Sequence, residues 1–193
     1  MKSIWLSFLG LLIFAILISQ RAYSQDNGPT ITYQRTISLP EKMQKALDEY
    51  NSNFKSWDIG DYLPDIVHDY RFTSRQALST VIGDFNGDAI NDIIMDGHDD
   101  LHNLLICILS DMPNYRIIEI SKMPYQNPKT IRYDDQFGIW DYLEFIGIQT
   151  LSSPFEPDPV KMQGDGVIVF AWRKASHVLY YKHGEFKTYI TGD

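Results

Sequence analysis

The stretch from Val81 to Met95 places the tightest limit on how this chain folds. Val81-Ile82 enters it and Ile90 to Met95 leaves it, both apolar and β-branched, and such runs form strands rather than helices. Between them, oxygen-bearing residues recur at alternate positions. Asp84, Asn86, Asp88 and Asp92 stand at loop positions 1, 3, 5 and 9, and Ile90, at position 7, offers only its backbone carbonyl. All donors are oxygens, and three carry formal negative charge. Hard oxygen donors favour calcium, magnesium or manganese over zinc or copper. Calcium takes about six to eight oxygen ligands in irregular geometry, whereas magnesium demands a near-octahedral shell and releases its waters reluctantly. Ca2+ is therefore the expected ion, ahead of Mg2+ or Mn2+. The competing reading is a plain acidic hairpin turn, because Asp, Asn and Gly are ordinary turn residues. Alternate spacing sustained from position 84 to 92 favours the metal loop.

The loop is not an EF-hand, which needs Gly at position 6 and Glu at position 12. Ala89 and Met95 occupy those places, and the flanks are strands. No second copy exists, which removes dockerin-type pairs. Gly83-Asp84-Phe85-Asn86-Gly87-Asp88 followed by Asp92-Ile93 resembles the calcium loop of FG-GAP/VCBS-type repeats, best known from integrin alpha subunits. The resemblance implies Asp84, Asn86, Asp88, Ile90 (through its carbonyl) and Asp92 as calcium ligands between adjacent strands. It covers about residues 80–110, a single unit, so the family's multi-bladed propeller is not implied. Ala89 replaces the family's usual Gly, and a left-handed backbone there costs roughly 1 kcal/mol or more.

The N-terminus reads as an export signal. Lys2 precedes an apolar run from Ile4 to Ile18, and Ala22-Tyr23-Ser24 is an A-x-A-like cleavage pattern. The expected domains are a signal peptide over 1–24 and one β-rich domain over 25–193, with the cation loop at 84–92. The apolar run is short for a spanning helix, which needs roughly 20 residues, and no Cys near the cleavage point supports a lipid anchor. Cleavage removes Lys2 and Arg21 and no acid, so net charge moves from −8 to −10. That balance argues against nucleic acid and anionic membrane surfaces, which attract Lys/Arg clusters. The expected location is periplasmic or secreted. Cys107, the only cysteine, lies in the apolar run Leu104 to Leu109 and reads as a buried small residue.

The rest of the chain supports an α+β fold, an antiparallel β-meander or curved sheet with one N-terminal covering helix. Ser38-Leu39-Pro40-Glu41 has the form of a capping box, and Met43, Ala46, Leu47 and Tyr50 follow at helical spacing, predicting a helix over about 39–54. A short strand is expected within 31–37. Trp57 to Tyr70 mixes acids and aromatics and reads as a short helix or loop. Strands are expected at 77–82, 90–95, 104–109 and 115–120, with the runs around Ile93 and Ile106 covered on both faces. Residues 121–135 and the proline-bearing Ser152–Pro159 read as loops. Strand character returns over 138–151, 167–172, 176–181 and 186–190, the last two joined by a tight turn at His183-Gly184. The layout also resembles small exported bacterial proteins of unknown function that combine a Leu-Pro helix start, one such loop and a terminal strand hairpin. No activity comes with that likeness.

No nucleophile elbow, phosphate-cradling glycine loop or zinc-protease helix occurs. His98 and His102 have i,i+4 spacing, but that pairs ligands on a helix and these flank a hairpin tip. The function expected is an exported, calcium-stabilised, non-catalytic binding module, acting as a monomer on a protein or glycan partner through loops 57–70 and 98–103. The alternative is a metal-assisted hydrolase whose cation acts as a Lewis acid.

Overall fold

The structure, a computed structural model, describes residues 30–31, 37–70 and 75–192. The predicted signal peptide and the leader up to residue 29 lie outside the described residues. Two short strands, β1 (Thr30–Ile31) and β2 (Ile37–Ser38), form a small antiparallel ribbon. Helix α1 (Glu41–Asn51) follows, then β3 (Lys55–Ser56), a 3₁₀ turn at Ile59–Asp61 and a second short helix, α2 (Pro64–Asp69). The single covering helix expected from the sequence thus has a companion. The capping box does not form. Ser38 is paired with Thr30 in the ribbon, Pro40 is the N-cap without a side-chain hydrogen bond, and its carbonyl accepts from Gln44 N at 2.9 Å.

The central sheet is six-stranded. β4 (Gln76–Ala77), β5 (Thr80–Gly83), β6 (Asp92–His98), β7 (His102–Asp111) and β8 (Asn114–Pro124) pair in that order, all antiparallel, and β3 joins the far end of β6. Register explains the core. Ile82, Ile93 and Ile108 stand side by side, as do Val81, Ile94 and Cys107 one residue along. Successive strand residues point to opposite faces, so the two rows face opposite layers. The first row packs under Met43 and Leu47 of α1. Lys42 Nζ to Pro113 O at 3.1 Å and Tyr50 Oη to Glu119 Oε2 at 2.6 Å fasten the helix at its edges.

The second row faces another sheet, which the sequence did not reveal. A short ribbon, β9 (Arg132–Tyr133) with β10 (Gln136–Phe137), leads to β11 (Asp141–Ile146). β12 (Thr150–Ser153) and β13 (Glu156–Lys161) form an outlying hairpin. β14 (Gly166–Ala171), β15 (Ser176–Lys182) and β16 (Glu185–Gly192) then complete a four-stranded antiparallel sheet in the order β11-β14-β15-β16. Leu143 and Val167 of this sheet close on Val81, Ile94, Cys107 and Leu109 of the first. Leu143 N donates to Leu78 O at 2.9 Å, joining the two sheets along one edge. The order of layers is therefore helix, central sheet, second sheet, and the central strands are covered on both faces as their continuous apolar runs require.

The expected strand 77–82 is interrupted at Leu78-Ser79, the expected helix 39–54 shortens to Glu41–Asn51, and three further boundaries differ from expectation. β8 runs to Pro124, because an outer strand with an exposed end tolerates Ser121, Lys122 and Met123. The predicted strand 138–151 breaks at Gly147 into β11 and β12. Ser152–Pro159 is not a loop. Pro157 and Pro159 sit in β13, whose two-stranded ribbon leaves one edge unpaired, where a missing N–H costs nothing.

Cys107 is fully buried between the sheets, and burial pushes its thiol well above the usual range. Since only a thiolate reacts, the native chain is expected to resist a thiol reagent and to react completely once denatured. Rapid labelling of the native form, followed by mass spectrometry, would contradict this placement.

Candidate cation loop

The loop expected to hold a metal connects β5 to β6 and is organised by its own side chains. Asp84 Oδ1 accepts from Gly87 N at 2.8 Å and Asp88 N at 3.0 Å, and its Oδ2 accepts from Ala89 N at 2.8 Å. Asn86 Oδ1 accepts from Asp88 N at 3.1 Å, and Asp88 Oδ1 from Ile90 N at 2.8 Å. Short Asp and Asn side chains capture nearby backbone N–H groups in this way wherever the chain leaves regular structure. Gly87 has φ +79°, and Ala89 takes the left-handed φ of +66° anticipated from its place in the loop. A Cβ on Gly87 would also stand 2.7 Å from Gln163 O, so only glycine fits there.

Two residues unremarked in the sequence tie the loop to the rest of the fold. Ser110, buried at the end of β7, donates from Oγ to Asp88 Oδ2 at 2.5 Å, accepts from Asn86 Nδ2 at 3.1 Å, and donates its backbone N–H to Asp92 Oδ1 at 2.7 Å. Asp165, in the turn before β14, accepts from Asp84 N through Oδ2 at 3.0 Å and returns its N–H to Asp84 O at 2.7 Å. Gly164 lets this happen: a Cβ there would lie 2.3 Å from Asp84 O and 2.4 Å from Phe85 O. Neither residue belongs to the alternating pattern, so spacing could not point to them. The only signal was the Gly164-Asp165-Gly166 turn itself.

The predicted ligands therefore meet unevenly. Asp84, Asn86 and Asp88 share the exposed loop. Asp92 turns into the protein, where its Oδ2 accepts from Phe85 N at 3.0 Å. Burial pushes its carboxyl up to about 6, against the hydrogen bonds from Ser110 and Phe85 and with the added charge of Asp88. Ile90 offers a backbone carbonyl beside the loop. As the side chains stand, no three His, Cys, Asp or Glu among the described residues converge closely enough to hold a metal ion. Yet each carboxylate has about four lone-pair sites, and the hydrogen bonds above leave acceptor capacity on Asp84, Asn86, Asp88 and Asp92.

The network has one electrostatic peculiarity. Asp84, Asp88, Asp92 and Asp165 are linked through hydrogen bonds, but among the described residues no ion pair joins any of them to a Lys, Arg or His.

The other candidates resolve differently. Trp57 is buried, stacked on His98 with centroids 4.4 Å apart, and Asp58 and Asp61 form a reciprocal cap on the 3₁₀ turn. The aromatic-acidic segment 57–70 is thus largely core and capping. His98 and His102 flank the β6–β7 turn, where each is paired with its own acid, Asp100 and Asp99. No protein-family model matches the chain, and no curated protein and no solved structure is significantly similar to it.

Proposed function

We propose that this chain is an exported, calcium-stabilised, non-catalytic binding module. The observation that carries the reading is the linked set of four carboxylates without a cationic partner. The charge of Asp88 is felt at Asp92, and a divalent cation would relieve such like-charge repulsion. Asp84, Asn86, Asp88, the Ile90 carbonyl and Asp92 would hold the ion. Because the carboxylates do not converge as they stand, binding draws at least one of them away from its present partners, and the ion's role is to rigidify the β5–β6 connection. Hard oxygen donors suit Ca2+ ahead of Mg2+ or Mn2+. The metal-assisted hydrolase is less well supported. It needs a substrate cleft on the ion, and a cavity among the described residues opens instead at Asp96, four residues and about 13 Å further along β6.

Calcium titration followed by thermal melting tests the reading. Wild-type protein is expected to gain about 2.7 kcal/mol at a hundredfold excess over the dissociation constant, with EGTA reversing the gain. Asp88→Asn, which retains the amide-like shape but loses a charge, is expected to shift that response to higher calcium. An unchanged melting temperature of the wild type at millimolar calcium refutes the proposal.

A further inference from the structure

A cavity of about 280 Å³ lies between the two sheets, away from the acidic loop. Its apolar lining includes Leu105, Leu143 and Leu179, the last two buried. Asp96 from β6, Asp141 from β11 and His177 from β15 also line it. The two carboxyl groups belong to different sheets, so the packing of the sheets, rather than a local turn, brings them to one space.

Asp96 is held in place. Its Oδ1 accepts from Trp57 Nε1 at 3.3 Å, and the Trp57 ring is itself stacked on His98. Burial, eased by the Trp57 bond and aggravated by the charge of Asp141, pushes the Asp96 carboxyl up to about 7. Burial likewise pushes Asp141 up to about 6, against the pull of Lys174. Burial lowers His177, which is therefore neutral at pH 7 and supplies no compensating charge. Tyr62, whose buried hydroxyl lies near Ser79, is near enough to sense the Asp96 charge. Among the described residues, no Lys, Arg or His forms an ion pair with either carboxylate.

Two partly buried carboxylates facing leucines stay ionised at least cost when a charge of opposite sign joins them, and otherwise hold a proton. Hydrocarbon beneath two acceptors is also the pattern of a small-molecule site, in which an apolar wall takes the body of the ligand and a few polar groups fix its head. We propose that the cavity between the sheets binds a small organic cation, an amine or amidine with an apolar body, whose charge is met by Asp96 and Asp141 above the leucine floor. The assignment is independent of the calcium loop. The cavity is small for a ligand site, which limits the ligand to about the size of one ring with a short arm.

The cation selects the ionised carboxylates. Binding therefore releases protons, and affinity rises with pH as Asp96 and Asp141 lose theirs. Below that range the ligand must compete with two protons. Lys174 does not reverse this sign, any proton that His177 takes up at the acid end repels the cation as well, and Tyr62 remains protonated throughout because burial and the Asp96 charge raise its hydroxyl further.

The experiment is a benzylamine titration in EGTA, following the Trp57 indole N–H resonance by NMR, with benzyl alcohol as the uncharged match. Benzylamine is expected to move that resonance in saturable fashion, and to bind about tenfold or more tightly when the pH is raised from about 5 to about 8. Asp96→Asn and Asp141→Asn are each expected to weaken it at least about tenfold and to flatten the pH dependence. Glu49→Gln, which removes a charge from the exposed face of α1 across the central sheet, should leave it unaltered. Asp141 has no side-chain hydrogen bond among those described, so its variant folds even if Asp96→Asn does not. Equal responses to amine and alcohol, undiminished binding in the Asn variants, or no response at all would each overturn the assignment. None of these outcomes bears on calcium, which EGTA removes.

Discussion

Phe85→Ala is expected to lower unfolding free energy by about 3–5 kcal/mol, the range for deleting a buried aromatic ring from a packed interior. Phe85 is the second residue of the acidic loop, yet it is fully buried. It packs among Val81, Ile94, Cys107, Leu109, Leu143 and Val167, and its ring meets Phe186 edge-on with centroids 6.1 Å apart. The side chain therefore joins the loop, the central sheet and the second sheet at one point. An alanine leaves a void bounded by three elements that are already hydrogen-bonded in place, so little collapse can repair it. Native domains are stable by only about 5–15 kcal/mol, and the variant stands near the edge of folding. Phe85→Leu keeps most of the apolar volume and should lose far less. Guanidinium denaturation followed by tryptophan fluorescence decides the matter. An alanine variant within about 1 kcal/mol of wild type would mean that the ring is not part of the interior.

Phe85 also illustrates what the sequence could and could not say. The alternation of Asp84, Asn86 and Asp88 marked a loop, and the β-branched flanks marked the strands on either side. The tight turn at His183-Gly184 was legible because adjacent residues in the left-handed region favour such a pair, and both adopt positive φ, +54° and +93°. The burial of Ile93 and Ile106 on both faces followed from their uninterrupted apolar neighbours. What covers the second face did not follow. A period of two residues fixes which side chains share a face, but not which sheet a strand joins, and β11 reaches β14 only after the β12–β13 hairpin has intervened. The prolines of β13 misled because a ribbon with an unpaired edge tolerates them. Ser110 and Asp165 were invisible for a related reason. Each meets the loop from a strand end or turn far along the chain, and pairing between distant segments leaves no local spacing to read.

Asp92→Ala is expected to cost about 2–5 kcal/mol, whether or not calcium is present. The Asp92 side chain is fully buried, and each of its oxygens serves a different buried donor: Oδ2 accepts from Phe85 N, and Oδ1 from Ser110 N. Removing the carboxyl leaves both N–H groups without a partner where water does not reach, at about 1–3 kcal/mol apiece. Asp84 provides the contrast. Its carboxyl accepts from three backbone N–H groups, those of Gly87, Asp88 and Ala89, but all three residues are exposed, so water replaces what Asp84→Ala removes. That variant should lose about 1 kcal/mol, the ordinary scale for one hydrogen-bonding side chain at the surface. Asp92→Asn falls between, because an amide retains one acceptor oxygen but turns an NH2 toward the second donor. Urea midpoints measured in EGTA separate this structural work from any role in holding an ion. If Asp92→Ala proves no less stable than Asp84→Ala under those conditions, the two hydrogen bonds do not anchor the loop, and Asp92 belongs with the exposed acids.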